Sequence, residues 1–371
     1  MQRDKPRIAV LSLVRARNEP FWAAVDEVER VLIEALEADV FTVALRSGTL
    51  RTKLARSGRL GRLHPSSFVN LTPLPADRYD LLIVLAQSPL DLAILRIDRS
   101  WLDLAPVRIA QYWELWPHDA IKHREGLTQV LRYFDVVLAG FPVAVPALVG
   151  RIGCEVRPTP FPIDALAFTR NQPERVIDVM TIGRRAVLQH ETLTAYCDAT
   201  SRFMSADTGT LANVWDQAQH RHQLINQLIR SKVFVANFAR VDQPEVSRGH
   251  RLLGGRHIEG LAAGCVMIGT RPDNSAEFIE HIEPIGGFID MSANADSVPP
   301  RLDELLRDDQ QRSAIHRRHQ ILALKRHDVS SVWLPELERL GYHSTGLLAR
   351  QAQVAARINQ LTAGVPTAGS A

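Results

Sequence analysis

The feature that most constrains this chain is a grammar repeated twice along it: apolar runs of strand type alternate with segments whose apolar residues recur three and four apart. In the first half, "RIAVLSLV" (Arg7 to Val14) is followed by "FWAAVDEVERVLIEALEA" (Phe21 to Ala38), a buried strand and then an amphipathic helix. "DVFTVAL", "DLLIVLA", "VRIAQYW", "DVVLAG" and "CEVRPTP" follow as further strands. Such alternation argues a parallel sheet covered on both faces, so this half reads as Rossmann-like. "FPIDALAFTRNQPE" (Phe161 to Glu174), with two prolines and little periodicity, reads as a linker. The series then restarts. "VIDVMTIG" reads as a strand, "ETLTAYCDATSRFM" as a helix, "TLANVW" as a weak strand or turn, "AQHRHQLINQLIRS" as a helix and "KVFVANF" as a strand. After Asp303 the pattern is helical to about Tyr342, and the last residues, "TAGVPTAGSA", read as a disordered tail.

At 371 residues and 46% hydrophobic, the chain is long enough for two domains of ordinary size. Lys and Arg total 44 against 41 acids, and a net charge of +3 is no footprint of a general nucleic-acid binder, so no nucleic-acid partner is expected. Cys154, Cys197 and Cys265 lie far apart with no C-x-x-C spacing, which disfavours a zinc site or a disulfide framework and fits a reducing cytoplasm. "IAVLSLV" is too short for a signal segment with its cleavage site, and no later run approaches a membrane span, so a soluble, cytoplasmic protein is expected.

The most informative stretch runs from Gly254 to Glu280, "GGRHIEGLAAGCVMIGTRPDNSAEFIE". It predicts a glycine loop, a short helix from about Arg256 to Ala263, a stop at Gly264 and the strand "CVMIGT". That strand and "KVFVANF" would be parallel neighbours, with the helix in the crossover between them. Its N-terminus would then lie at the carboxyl edge of the sheet, where free N–H groups and the helix dipole favour anions. Gly255, Gly260 and the small residues after it would let sheet, helix and ligand approach closely. Glu259 sits about one turn into the helix, where an ionised carboxylate accepts two hydrogen bonds, as a ribose diol would supply, or simply complements the macrodipole.

"RHIEGLAAGCVMIGTRPDNSAEFIE" is similar to the donor-binding segment of retaining GT-B glycosyltransferases, most like the spore-maturation-type (CgeB-like) branch. "GCEVRPTPFPIDALAF" resembles that family's passage between domains, "VMTIGRR" with His190 the opening of its second domain, and "IHRRHQILALKRHDVSSVWLPELERLGY" its C-terminal helices. The resemblance covers most of residues 75 to 342. It implies an α/β, GT-B architecture: two Rossmann-like domains facing across a cleft, with C-terminal helices crossing back. The implied division is an acceptor-side domain over 1–165, a nucleotide-sugar-binding domain over 174–328, returning helices over 329–361 and a disordered tail over 362–371. Two departures stand out. Many retaining members carry a further glutamate in an E-x7-E spacing, where this chain has Arg251, and the first-strand loop reads "SLVRARNEP" in place of a glycine-rich turn.

The implied function is transfer of a hexosyl-type group from a nucleotide diphosphate sugar to an unidentified acceptor, a glycan, lipid-linked or small molecule. The resemblance implies retention by front-side attack, without metal or cofactor, since no Asp-x-Asp signature is present. On this reading Glu259 binds the donor ribose. Glu277 either joins the donor site or forms a capping box with Asn274. Arg256 either orients Glu259, touches phosphate or makes a surface pair. Arg184 and Arg185 follow a strand at the carboxyl edge, where a guanidinium would stabilise the departing diphosphate: Arg184 is the catalytic candidate, with Arg185 sharing the task as a donor-binding residue or pointing elsewhere, and His190 is near enough in sequence to join them. In the first half, "YWELWPHDAIKHREG" follows the strand "VRIAQ". His118 is the catalytic candidate there, with Glu114 and Asp119 on the acceptor side; Tyr112, Trp113 and Trp116 either stack on a sugar or pack the core. The acid-free segment with Arg46, Arg51, Lys53, Arg56, Arg59 and Arg62, a basic loop over 46–64, is either a solvated surface or a contact for anionic lipid. A sugar-nucleotide epimerase or a non-catalytic sugar-nucleotide-binding protein would share the same architecture.

Overall fold

The structure, a computed structural model, describes residues 6–14, 20–45, 69–71, 78–89, 91–96, 99–118, 128–150, 152–207, 216–273, 275–291 and 298–363. The basic loop at 46–64, "TLANVW", Asp119, Asn274 and residues 364–371 lie outside them. The chain divides into two compact units: Met1–Pro160 with Asn213–Ala218 and Trp333–Leu348, and Phe161–Ala212 with Gln219–Val332 and Ala349–Ala371.

The first unit holds β1 (Ile8–Ser12), α1 (Ala23–Leu36), β2 (Asp39–Leu45), β3 (Val69–Leu71), β4 (Leu81–Ala86), β5 (Val107–Tyr112), β6 (Val136–Ala139), α2 (Val145–Leu148) and β7 (Glu155–Pro158). Its sheet runs β3-β2-β1-β4-β5-β6-β7. Every pair is parallel except the β2–β3 edge, which is antiparallel. Every residue of β1 and β4 is buried, which is why β4 reads as an unbroken apolar run and β1 as one that only Ser12 interrupts. Helix α1 buries Val25, Val28, Leu32 and Leu36 at helical spacing and stops at Glu37 in a left-handed conformation.

The second unit holds α3 (Ala165–Thr169), β8 (Ile177–Thr181), α4 (Val187–Thr200), β9 (Met204–Ala206), α5 (Gln217–Leu228), β10 (Ser231–Val235), α6 (Pro244–Ser247), α7 (Gly255–Ala263), β11 (Val266–Gly269), β12 (Phe288–Asp290), α8 (Val298–Arg307) and α9 (Asp309–Arg326). Its sheet runs β12-β11-β10-β8-β9, parallel throughout. The last two helices, α10 (Val329–Arg339) and α11 (Thr345–Ala363), take the chain from the second unit into the first and back. Their 333–348 segment is tied into the first unit: Trp333 Nε1 donates to the Gln111 side-chain oxygen at 3.0 Å and the Tyr342 hydroxyl to the Asp80 carbonyl at 2.8 Å. Gly346 lets α11 close onto α1, because a β-carbon there would stand 2.0 Å from the Ala35 carbonyl oxygen.

Three stretches differ from the sequence expectation. The linker stretch carries α3, whose Asp164 caps it by accepting from Ala167 N at 3.1 Å and whose Phe168 is fully buried. The helix expected to reach Met204 ends at Thr200, where Ser201 turns left-handed (φ 50°), and Met204 begins a strand. The helical pattern expected from Asp303 to about Tyr342 begins earlier, at Val298, and resumes beyond Tyr342 in α11.

Candidate functional site

The parallel strands of the second unit end together. Beyond β8 lies Gly183, beyond β10 lies Asn237, and beyond β11 lies Thr270. Asn237 Oδ1 accepts from Thr270 N at 2.8 Å, and Gln189 Nε2 donates to the Thr270 hydroxyl at 2.5 Å, so the loops after β10 and β11 are tied to each other and to the first turn of α4. At the same edge α7 begins. Its N-cap, Gly254, is extended and makes no side-chain cap, and its first turn carries no acid. The free N–H groups there form a positive terminus that no carboxylate of the helix's first turn neutralises. Gly260 lets the helix lie on the sheet: a β-carbon there would meet Met267 Sδ at 2.9 Å. Gly264, at φ 73°, ends the helix as its position predicted.

Glu259 faces inward on this helix and is 6% exposed. Its two oxygens are shared between two guanidiniums: Arg256 Nη1 donates to Oε2 at 2.6 Å, and Arg221 Nη1, reaching from α5, donates to Oε1. Burial alone would raise this carboxyl, but Arg256 and Arg221 outweigh it and hold it below the ordinary glutamate value. Arg221 is itself 2% exposed, its guanidinium 5.4 Å from the centre of the Phe168 ring. Arg256 reaches over the β8 loop towards Gly183. His220, also on α5, is pushed below its usual range by burial and by Arg256 and Arg221. Sequence reasoning passed over Arg221, although a signal was present: it falls on the buried face of α5 with Leu224, Ile225 and Leu228, a cation in an apolar stripe.

Arg184 and Arg185 separate in role. Arg184 is half-exposed and paired with Asp242 at 3.1 Å. Arg185 turns inward and lines a pocket with Thr181, Ala186, Gln189, His190, Leu193, Val235 and Asn237, none of them acidic. Arg185 Nη1 donates to His190 Nε2 at 3.3 Å, while Arg185 Nε and Nη2 are shut from solvent with no hydrogen-bond partner. The Gln189 side-chain oxygen and His190 Nδ1 on the same lining are likewise unpartnered. Burial, and then Arg185, hold the His190 imidazole below its usual value against a smaller opposing pull from Glu191. The closed-off Arg185 nitrogens call for an acceptor.

The remaining candidates fall elsewhere. Glu277 is gripped by Arg326 through paired bonds of 2.9 and 2.8 Å, and His327 Nε2 lies 3.3 Å from Oε1. Burial would raise that carboxyl; the His327 and Arg326 contacts bring it down to about 2. Arg251 is exposed beside Asp273 at 3.3 Å. In the first unit, Tyr112, Trp113 and Trp116 are all buried, which favours core packing over sugar stacking. They sit at and beyond the end of β5 with half-buried Glu114 and His118, whose ring lies 6.3 Å from that of Trp116. Among the described residues no group of three or more His, Cys, Asp or Glu is placed to hold a metal ion, and no helix is long and apolar enough to cross a membrane.

Two sheets, one parallel throughout and one parallel but for its β2–β3 edge, each accompanied by helices and joined by a chain that crosses back through α10 and α11, define an α/β fold of the GT-B class with two Rossmann-like units. Solved structures of that class are similar to this chain. An alpha-glucosyltransferase in complex with UDP and a 13-mer DNA containing a HMU base matches over 90% of this chain and 99% of its own, with a TM-score of 0.56 and 12% identity. An alpha-glucosyltransferase in complex with UDP and a 13-mer DNA with a central A:G mismatch matches over 91% and 100%, with a TM-score of 0.51 and 9% identity. A glycosyltransferase from Rickettsia africae ESF-5 matches over 91% and 98%, with a TM-score of 0.49 and 11% identity. No family model matches the chain, and no curated protein matches it. At these identities the likeness is one of fold.

Proposed function

We propose that this chain is a glycosyltransferase that binds a nucleotide diphosphate sugar at the carboxyl edge of its second sheet and passes the sugar to an acceptor. The observation that carries the proposal is the inward-turned guanidinium of Arg185, with two donor nitrogens shut from solvent and unpartnered in an acid-free pocket. Beside it the uncapped N-terminus of α7 supplies further donors and a positive dipole end. Two such donor groups suit a diphosphate, whose charge grows as the sugar departs. Arg185 takes the leaving group, Arg256 and the N–H groups after Gly255 take the neighbouring phosphate, and Arg184 joins by exchanging Asp242 for the ligand. Glu259 keeps lone pairs beyond those used by its two arginines and accepts from the ribose diol.

Retention follows the resemblance: among the described residues that line the pocket there is no carboxylate to act as a nucleophile, and the departing phosphate would take the proton of a front-side attacker. These cations would do the work of a metal, so turnover is proposed to be metal-independent. The acceptor side is assigned to Glu114, His118 and Asp119. Calorimetric titration with UDP, GDP and ADP tests the donor site. One of them should bind, and Arg185→Ala should weaken it by roughly 2 kcal/mol, the worth of a charged hydrogen bond. Equal binding by the variant would remove Arg185 from the site.

A further inference from the structure

Burying a guanidinium is costly unless its charge is answered, and surface pairs need no such expense. The Arg256–Glu259 pair is of the ordinary i, i+3 kind and could stand alone on a helix surface. Yet the other oxygen of Glu259 is met by a second arginine whose side chain is only 3% exposed. That arginine stands on the same buried face of α5 as Leu224, Ile225 and Leu228.

We infer that Arg221 is a positioning residue of the donor site: from α5 it holds and aims the Glu259 carboxylate, whose opposite oxygen fixes Arg256 over the β8 loop. The inference rests on the donor-site reading above. Three charged or titratable groups face Glu259: Arg256 from its own helix, and Arg221 and His220 from α5. Phe168 of α3 offers Arg221 only a ring face, and Gly183 of the β8 loop has no side chain to offer Arg256. Removing Arg221 takes away one of the two cations that oppose burial, so Glu259 gains a proton more easily and its grip on Arg256 weakens. The effect of Arg221 therefore reaches the ligand through two intervening side chains.

The test compares wild type, Arg221→Lys, Arg221→Met and the double variant Arg221→Met/Glu259→Gln. Each is titrated with whichever of UDP, GDP and ADP binds wild type best, from about pH 5.5 to 8.5, and melted in parallel. Arg221→Met should weaken binding about ten-fold near neutral pH, with a further loss towards acid that wild type lacks. Arg221→Lys should recover most of the affinity. The double variant, with no unpaired buried charge, should melt above Arg221→Met yet bind weakly, without the acid-side loss. If Arg221→Met melts lower but keeps wild-type affinity and pH profile, Arg221 is structural only and the inference falls. If that variant does not fold, wild-type affinity in the double variant overturns the inference equally. Wild-type protein that binds none of the three nucleotides overturns the donor reading and this inference together, a result distinct from either of the others.

Discussion

Gly183 lies beneath the guanidinium of Arg256: a β-carbon on that glycine would stand 3.3 Å from Arg256 Nη2. The same residue has φ +77°, a conformation that L side chains rarely adopt. Gly183→Ala should therefore cost about 1–2 kcal/mol of backbone strain and displace Arg256 from its place over the loop. Melting should fall, and nucleotide affinity should fall by more than a remote variant of equal stability loses. Unchanged affinity in calorimetry would separate Arg256 from the phosphates.

Glu259→Gln should lose both ligand and stability. From sequence, Glu259 is expected to bind the donor ribose. The structure adds Arg221, buried and answered by that carboxylate, so the neutral amide leaves a buried cation undercompensated. A loss of roughly 3 kcal/mol is expected from breaking a buried pair, read by denaturant unfolding. A variant that melts like wild type would show that Arg221 is answered elsewhere.

The Arg185–His190 contact makes donor affinity pH-dependent. In the free protein burial and Arg185 hold His190 below its usual 6.5, so it is neutral near pH 7. A diphosphate beside it favours the charged form, and the complex therefore binds more protons than the free protein. Affinity should rise as pH falls through the window between the raised value in the complex and the depressed free value. His190→Gln should flatten that rise. The ionisation of the nucleotide itself is common to both proteins and cancels in the comparison. Identical slopes would place His190 outside the ligand's reach.

Glu277 should govern acid stability. Its carboxyl is lowered from 4.5 to about 2, so its contribution is present above the unfolded value and lost as pH falls from 4.5 towards 2. Unfolding measured across that range should show wild type losing up to about 3 kcal/mol more than Glu277→Gln. Parallel curves would mean that Arg326 and His327 do not hold it in solution.

Much of the fold was legible because its signals are local. The runs at β4 and β11 are apolar throughout, and those at β1, β5, β8 and β10 are mainly apolar with one or two polar residues each, as strands of a covered parallel sheet tend to be. The parallel pairing of β10 with β11 and the stop at Gly264 were both readable from their residues. Strand β9 was missed because the preceding helix ends on Ser201, a left-handed position without the glycine that marks most such stops. Strands β3 and β12 have three residues each, too few to show a period. At the candidate site Glu259 and Arg185 stood out through their neighbours in sequence. The partners of Glu277 did not: Arg326 lies 49 residues away, and no local pattern announces such a contact. Arg221 lay between these cases, visible as a cation on an apolar stripe but without a stated partner.

The central claim is sugar transfer from a nucleotide diphosphate donor at the edge of the second sheet. The most direct measurement incubates the full chain with a panel of UDP-, GDP- and ADP-sugars, with and without pooled glycan, lipid and small-molecule acceptors, and follows free nucleoside diphosphate. The account predicts acceptor-dependent release from one donor, surviving a chelator and lost in Arg185→Ala. Conversion of a donor to its epimer without release would contradict the account, as would the absence of binding or release across the whole panel.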